Sequence, residues 1–131
     1  MSLRKSIPVP GLPKPSGVWT NAVLTQPGKM LFISGLVSRD ADGNIVGKGD
    51  IEAQTRQTCE NLKLAVEAAG GTLADLVRVD VYITDMNHFS TIHKVRAEYF
   101  PKDPPASTMV EVSRFVSLDA MIEINAIAVL P

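Results

Sequence analysis

Residues 50 to 84 read DIEAQTRQTCENLKLAVEAAGGTLADLVRVDVYIT, and two periodicities meet inside that stretch. Ile51, Thr55, Thr58, Leu62, Ala65, Val66 and Ala69 recur at spacings of three and four, which lines one face of an α-helix. Asp50 stands before the run as a capping residue. Gly70-Gly71 ends it, where a residue without a Cβ takes a positive φ and closes the last turn. The period then drops to two. Val77, Val79, Val81 and Ile83 alternate with Arg78, Asp80, Tyr82 and Thr84, the pattern of a strand that buries one face. A helix feeding a half-buried strand places the chain among the α+β folds.

Working outward, the spacing predicts a second helix from about Asn87 to Phe100, carrying Phe89, Ile92, Val95, Tyr99 and Phe100, with residues 101 to 105 ending it. Two strands follow, near 106–112 and 120–130. Upstream, residues 40 to 44 read as a turn, and 22–26 and 30–34 as a hairpin split by Pro27-Gly28. Residues 8 to 17 carry Pro8, Pro10, Pro13 and Pro15 and read as an extended surface arm. The expected order is ββαβαββ, a mixed sheet with both helices on one face. The other face is expected to hold Tyr82, Met109, Ile127 and Val129 beside Ser107, Glu111, Glu123 and Asn125. Such a face is too apolar to stay wet, so self-association through the sheet is expected, with small-ligand clefts between subunits.

Composition narrows the function. A chain of 131 residues, 45% apolar and 21% charged, has the size of one domain, read here as 1–131. Its net charge of −1 offers no attraction to polyanions, which argues against nucleic acid. The longest apolar runs fall far short of the roughly 20 residues that cross a bilayer, so no membrane partner is expected. No apolar segment follows Arg4 and Lys5, so the N-terminus does not read as a secretory signal and a cytoplasmic location is expected. Cys59, the only cysteine, reads as a packed thiol. His88 and His93 show no metal-ligand spacing, and no metal or cofactor is expected. Arg114, just after a strand, reads as one half of a structural ion pair.

Six segments carry a resemblance: Ile-Glu-Ala-Gln-Thr-Arg-Gln (51–57), Glu-Asn-Leu-Lys (60–63), Glu-Ala-Ala-Gly (67–70), Thr-Asp-Met-Asn (84–87), Ala-Glu-Tyr-Phe-Pro (97–101) and Ile-Glu-Ile-Asn-Ala-Ile-Ala-Val (122–129). In this order they are similar to the RidA/YjgF family over nearly the whole chain. The resemblance implies a chorismate-mutase-like α+β domain, assembled as a homotrimer with pockets between subunits. It implies hydrolysis of imines or enamines with release of ammonia and no cofactor. In the family an arginine holds the substrate carboxylate and a glutamate on the last strand helps place the attacking water. The family's Pro-Ala-Arg-Ser-Cys-Val-Glu-Val becomes residues 105–112 here, so Ser107 stands where the arginine is expected, followed by Thr108, with Met109 in place of the cysteine. Trp19 replaces a tyrosine, Leu36 follows Ser34-Gly35 where glutamine is usual, and His93 stands for asparagine. Glu123 remains.

The resemblance therefore makes Glu123 the candidate catalytic residue and Trp19, Ser34, Gly35, Leu36, His93, Ser107, Thr108 and Met109 candidate substrate-binding residues. Alternation along two strands suggests that Ser107, Met109 and Glu123 share one site. Trp19 reads equally well as a core or interface anchor. His93 and Arg96, three apart on one helical face, are candidates for the missing positive charge; a solvated helix surface accounts for Arg96, and both readings stay open for His93. Without the arginine, the expected substrate differs from amino-acid-derived imino acids, and Ser107→Arg is expected to raise activity on them. The alternative is a non-catalytic metabolite-binding or regulatory module that uses the same pocket. A ribonuclease is disfavoured, because the chain offers no basic stripe and no histidines paired for phosphodiester cleavage.

Overall fold

Asp50 caps helix α1 (Ile51–Ala68) with a side chain that accepts from the Ala53 N–H. At the far end the Gly71 N–H donates to Val66 O and the Gly70 N–H to Glu67 O, with Gly70 at φ 86°, the left-handed closure that a glycine permits. The computed structural model describes residues 2–131. Its strands and second α-helix are β1 (Arg4–Ser6), β2 (Val23–Thr25), β3 (Lys29–Leu36), β4 (Leu76–Ile83), α2 (Phe89–Tyr99), β5 (Ala106–Glu111) and β6 (Ile122–Leu130).

Four strands form one mixed sheet in the order β3-β6-β4-β5. β6 runs antiparallel to both neighbours, while β4 and β5 are parallel and joined through α2. Both helices cover one face, as expected. Leu62 and Val66 of α1 and Ile92 of α2 close on Val79, Val81, Ile83, Ile122, Ile124 and Ala126 to make the core. Buried Gln54 ties the loop before β6 to α1, since its amide donates to Asp119 O (2.8 Å) and accepts from the Met121 N–H (2.8 Å).

Two expectations are corrected. The hairpin across Pro27-Gly28 does not form: β2 pairs with β1, and β3 pairs with β6. The turn signal between 26 and 29 is satisfied by any change of direction, and the buried strand β6 offers β3 a longer apolar partner than the three-residue β2 does. β1 itself carries no periodic pattern and escapes a reading of the sequence.

The second correction concerns β5. Its parallel register sets Ser107 beside Val79, Met109 beside Val81 and Glu111 beside Ile83, so all three lie on the helix-covered face. Thr108 and Val110 take the open face with Asp80 and Tyr82. A phase error of one residue inverts every side chain of a strand, and residues 106–112, apolar on both sides, do not set that phase. Tyr82, Glu123, Asn125 and Ile127 do share the open face. There Phe32 is 68% exposed and Met30 59%.

Candidate functional site

The chain reaches β5 from the proline-rich arm. Thr20 forms a parallel bridge with Ala106, and its N–H donates to Pro105 O (3.2 Å). This sets residues 17 to 19 against the exposed end of α2, where His93 Nε2 accepts the Val18 N–H at 2.7 Å. Gly17 makes the approach possible, because a Cβ there would collide with His93 Nε2 and the Trp19 ring. Phe89, one turn before His93, stacks on its ring at 4.7 Å, and Trp19 meets it edge-on at 6.0 Å.

Arg96 follows His93 by three residues on α2. Only 2% exposed, it donates from Nη2 to Ser107 Oγ at 3.0 Å and reaches Val18 O at 3.4 Å. The solvated surface expected for Arg96 is overturned. The overlooked signal is its place four residues after Ile92 and seven after Phe89, inside the apolar stripe of α2. Among the described residues no carboxylate lies within ion-pair distance of its guanidinium. Arg96 Nε and His93 Nδ1 are buried without hydrogen-bond partners. Burial lowers the Arg96 pKa, and the nearby Cys59 acts weakly the other way. Arginine stays charged through such a shift.

The His93 pKa is held below its ordinary value, first by burial and second by the Arg96 charge. An Nε2 that accepts from Val18 assigns the proton to Nδ1 in a neutral ring. A lowered folded pKa means that the unfolded chain binds the proton more readily. The stability contributed by neutral His93 is therefore fully present above about pH 6.5 and is lost as pH falls through the folded value. Thermal melts from pH 8 to 5 are expected to show Tm dropping on the acid side of that point. In His93→Gln, which keeps an acceptor for Val18 but no titration, this part of the drop should vanish; an identical profile in the variant would refute the assignment.

A second cluster lies elsewhere. β3 carries an extra residue between Ile33 and Leu36 where it pairs with β6, a bulge at Ser34-Gly35. Glu123, opposite Tyr82 on the open face, lays its carboxylate over Gly35, where a Cβ would collide with Oε2. None of the ion pairs among the described residues involves Glu123.

The candidate residues thus divide. Trp19, His93 and Ser107 come together with Phe89 and Arg96, and Met109 lies two residues along the same face of β5. Ser34, Gly35 and Glu123 form the other group. Leu36 faces α1, half-buried against the core, and Thr108 is on the open face, accepting from Arg78 Nη2 at 2.9 Å. The expectation that Ser107 and Met109 share a face with Glu123 is wrong within one chain. β5 and β6 flank β4, so the two groups are about 10 Å apart across the sheet and point to opposite sides. Arg114, expected in an ion pair, makes none of those found among the described residues. Burial pushes the Cys59 thiol up to about 12, in keeping with a packed side chain. Among the described residues, no group of three or more His, Cys, Asp or Glu is placed to hold a metal ion, and no helix is long and apolar enough to cross a membrane.

Residues 11–130 match the family described as Endoribonuclease L-PSP. The chain is 47% identical over 116 residues to a RutC family protein of Pyrococcus horikoshii, covering 88% of this chain and 90% of that one. In three dimensions it is similar to a Rid family protein of unknown function from Yersinia pestis, with TM-score 0.90, 33% identity and coverage of 98% and 99% of the two chains. It is also similar to E. coli TdcF, solved with bound serine, with TM-score 0.72, 33% identity and coverage of 97% and 99%.

Proposed function

Because the chain belongs to the RidA/YjgF family, also described as Endoribonuclease L-PSP, we propose that it is a cofactor-independent hydrolase of a small imine or enamine metabolite, acting in pockets between the subunits of a homotrimer. One observation carries this reading: the two groups of candidate residues lie on opposite faces of one chain, so a site that uses both draws them from different copies. The open sheet face supplies a reason to associate, since Phe32, Met30, Val110 and Ile127 leave it apolar and uncovered. Stacking copies on that face buries it and brings the Glu123 group of one copy toward the edge of another.

In the proposed reaction Glu123 accepts a proton from a water as its oxygen attacks the C=N carbon. Glu123 returns that proton to the nitrogen, giving a neutral carbinolamine, and then carries the carbinolamine's hydroxyl proton to the same nitrogen as the C=O bond forms and the C–N bond breaks. Imine and water are consumed, and carbonyl compound and ammonia leave, with no net change in proton count. Trp19, Phe89 and Met109 give the other group apolar walls, and the serine held by TdcF indicates the size of ligand that this fold accommodates. Phosphodiester cleavage is less well supported, because His93 spends Nε2 on the Val18 N–H and is kept neutral.

One preparation tests the reading. Light scattering should give about three times the chain mass, and imines generated in place from several amino acids should release ammonia faster than in buffer alone. A monomer would sink the intersubunit site. Binding of such compounds without any acceleration would leave the non-catalytic metabolite-binding module as the function.

A further inference from the structure

Residues 17 to 19 cross α2 as a strap whose fastenings are unequal. The Trp19 N–H turns back onto Gly17 O at 3.0 Å, a three-residue turn centred on Val18. Both polar groups of Val18 then go to α2: its N–H donates to His93 Nε2 at 2.7 Å, and its O accepts from Arg96 Nη2 at 3.4 Å. The first bond is short and the second long, so His93 is the main fastening. After the strap, the Thr20 N–H ties the chain to Pro105 O; before it, residues 10 to 16 are exposed. His93 accepts the Val18 bond only as a neutral ring. Protonation puts an N–H on Nε2, and two donors then face each other.

The added charge also finds no partner. None of the ion pairs found among the described residues involves His93, and the charge that acts on its ring is that of Arg96, which repels it. The strap brings Gly17, Val18 and Trp19 to the ring, Phe89 stacks on it, and β5 brings Ser107 to Arg96; none of these side chains is charged. Turning the ring over gives no relief, because an imidazolium donates from both nitrogens and Nδ1 is already buried without an acceptor.

We infer that His93 is a proton-operated latch, which holds residues 17 to 19 and the Trp19 ring against α2 while neutral and loosens them when protonated. That the latch regulates the pocket rests on the reading above, in which Trp19 forms one of its walls. Val18, only 7% exposed, still packs into the core, so protonation raises the population of a locally open strap and leaves the rest of the chain folded. The loosening sets in on the acid side of about pH 6.5, the ordinary histidine value.

Amide exchange at Val18 reads the strap directly, with no substrate and no turnover, so the result is independent of whether the protein hydrolyses anything. Corrected for the intrinsic pH dependence of exchange, Val18 protection should fall about tenfold between pH 7.5 and pH 5, the factor carried by one hydrogen bond. Leu62 and Val81, fully buried in the core, should keep theirs. Over the same range acrylamide should gain access to Trp19, the only tryptophan, a change that direct quenching by an imidazolium does not imitate. His93→Gln should hold its Val18 protection flat, and His88→Gln, which alters the other histidine, should behave as wild type. Constant Val18 protection in the wild type, the same fall in His93→Gln, or a fall shared equally by Leu62 and Val81 would each overturn the proposal. Should His93→Gln fail to fold, the contrast between Val18 and the core amides in wild type and in His88→Gln still decides it.

Discussion

Glu123→Gln is expected to lower ammonia release by about a hundredfold to ten-thousandfold, the usual contribution of a positioned general base. Glutamine keeps the shape of the side chain and its fit over Gly35, but it cannot take a proton from water. The carboxylate is half-buried and takes part in no ion pair found among the described residues. Stability should therefore move by no more than about 0.5 kcal/mol, and the assembly should persist. Initial rates of ammonia release, melting temperature and light scattering on the same sample separate the possibilities. A variant that releases ammonia at the wild-type rate would remove Glu123 from the mechanism. One that falls apart into monomers would make it an interface residue instead.

Ser107→Arg, a gain of function on sequence alone, is expected to be a loss once Arg96 is placed. The new guanidinium would grow from a position whose hydroxyl already lies 3.0 Å from Arg96 Nη2. Two unit charges about 4 Å apart repel by roughly 4 kcal/mol at an effective dielectric near 20. Ser107 is half-buried, so the longer side chain relieves part of this by turning toward solvent, leaving roughly 1–3 kcal/mol of destabilisation, within the common range for single substitutions. For a chain of this size that corresponds to a fall in Tm of roughly 3–12 °C. Pairing the change with Arg96→Ser removes the repulsion and should recover most of the loss. A single Ser107→Arg variant that melts no lower than wild type and hydrolyses imino acids faster would reinstate Ser107 as a lost clamp and undercut the role of Arg96.

Both predictions depend on placements that the sequence carries unevenly. Asp50, the three-and-four spacing from Ile51 and the Gly70 closure are local signals, because a helix face and its caps are written within a turn or two of chain. The alternation from Val77 to Ile83 is equally local, and so the α+β class, α1, α2 and β4 were legible at once. Arg96 was legible in principle, by its spacing from Phe89 and Ile92, but its charge argued for the surface.

The tertiary structure alone decided which strands pair and with what phase. That β3 joins β6 rather than β2, and that Ser107 faces α2 while Glu123 faces away, depend on registers between segments far apart in sequence. The physical reason is that side chains alternate with a period of two, so a shift of one residue exchanges the two faces while leaving the local pattern of each strand unchanged. The partner that Arg96 meets, unlike its burial, belongs with these. Its contact with Ser107 arises from the β4–α2–β5 crossover, which brings a helix side chain over the strand that follows it, and no spacing within either element records that contact.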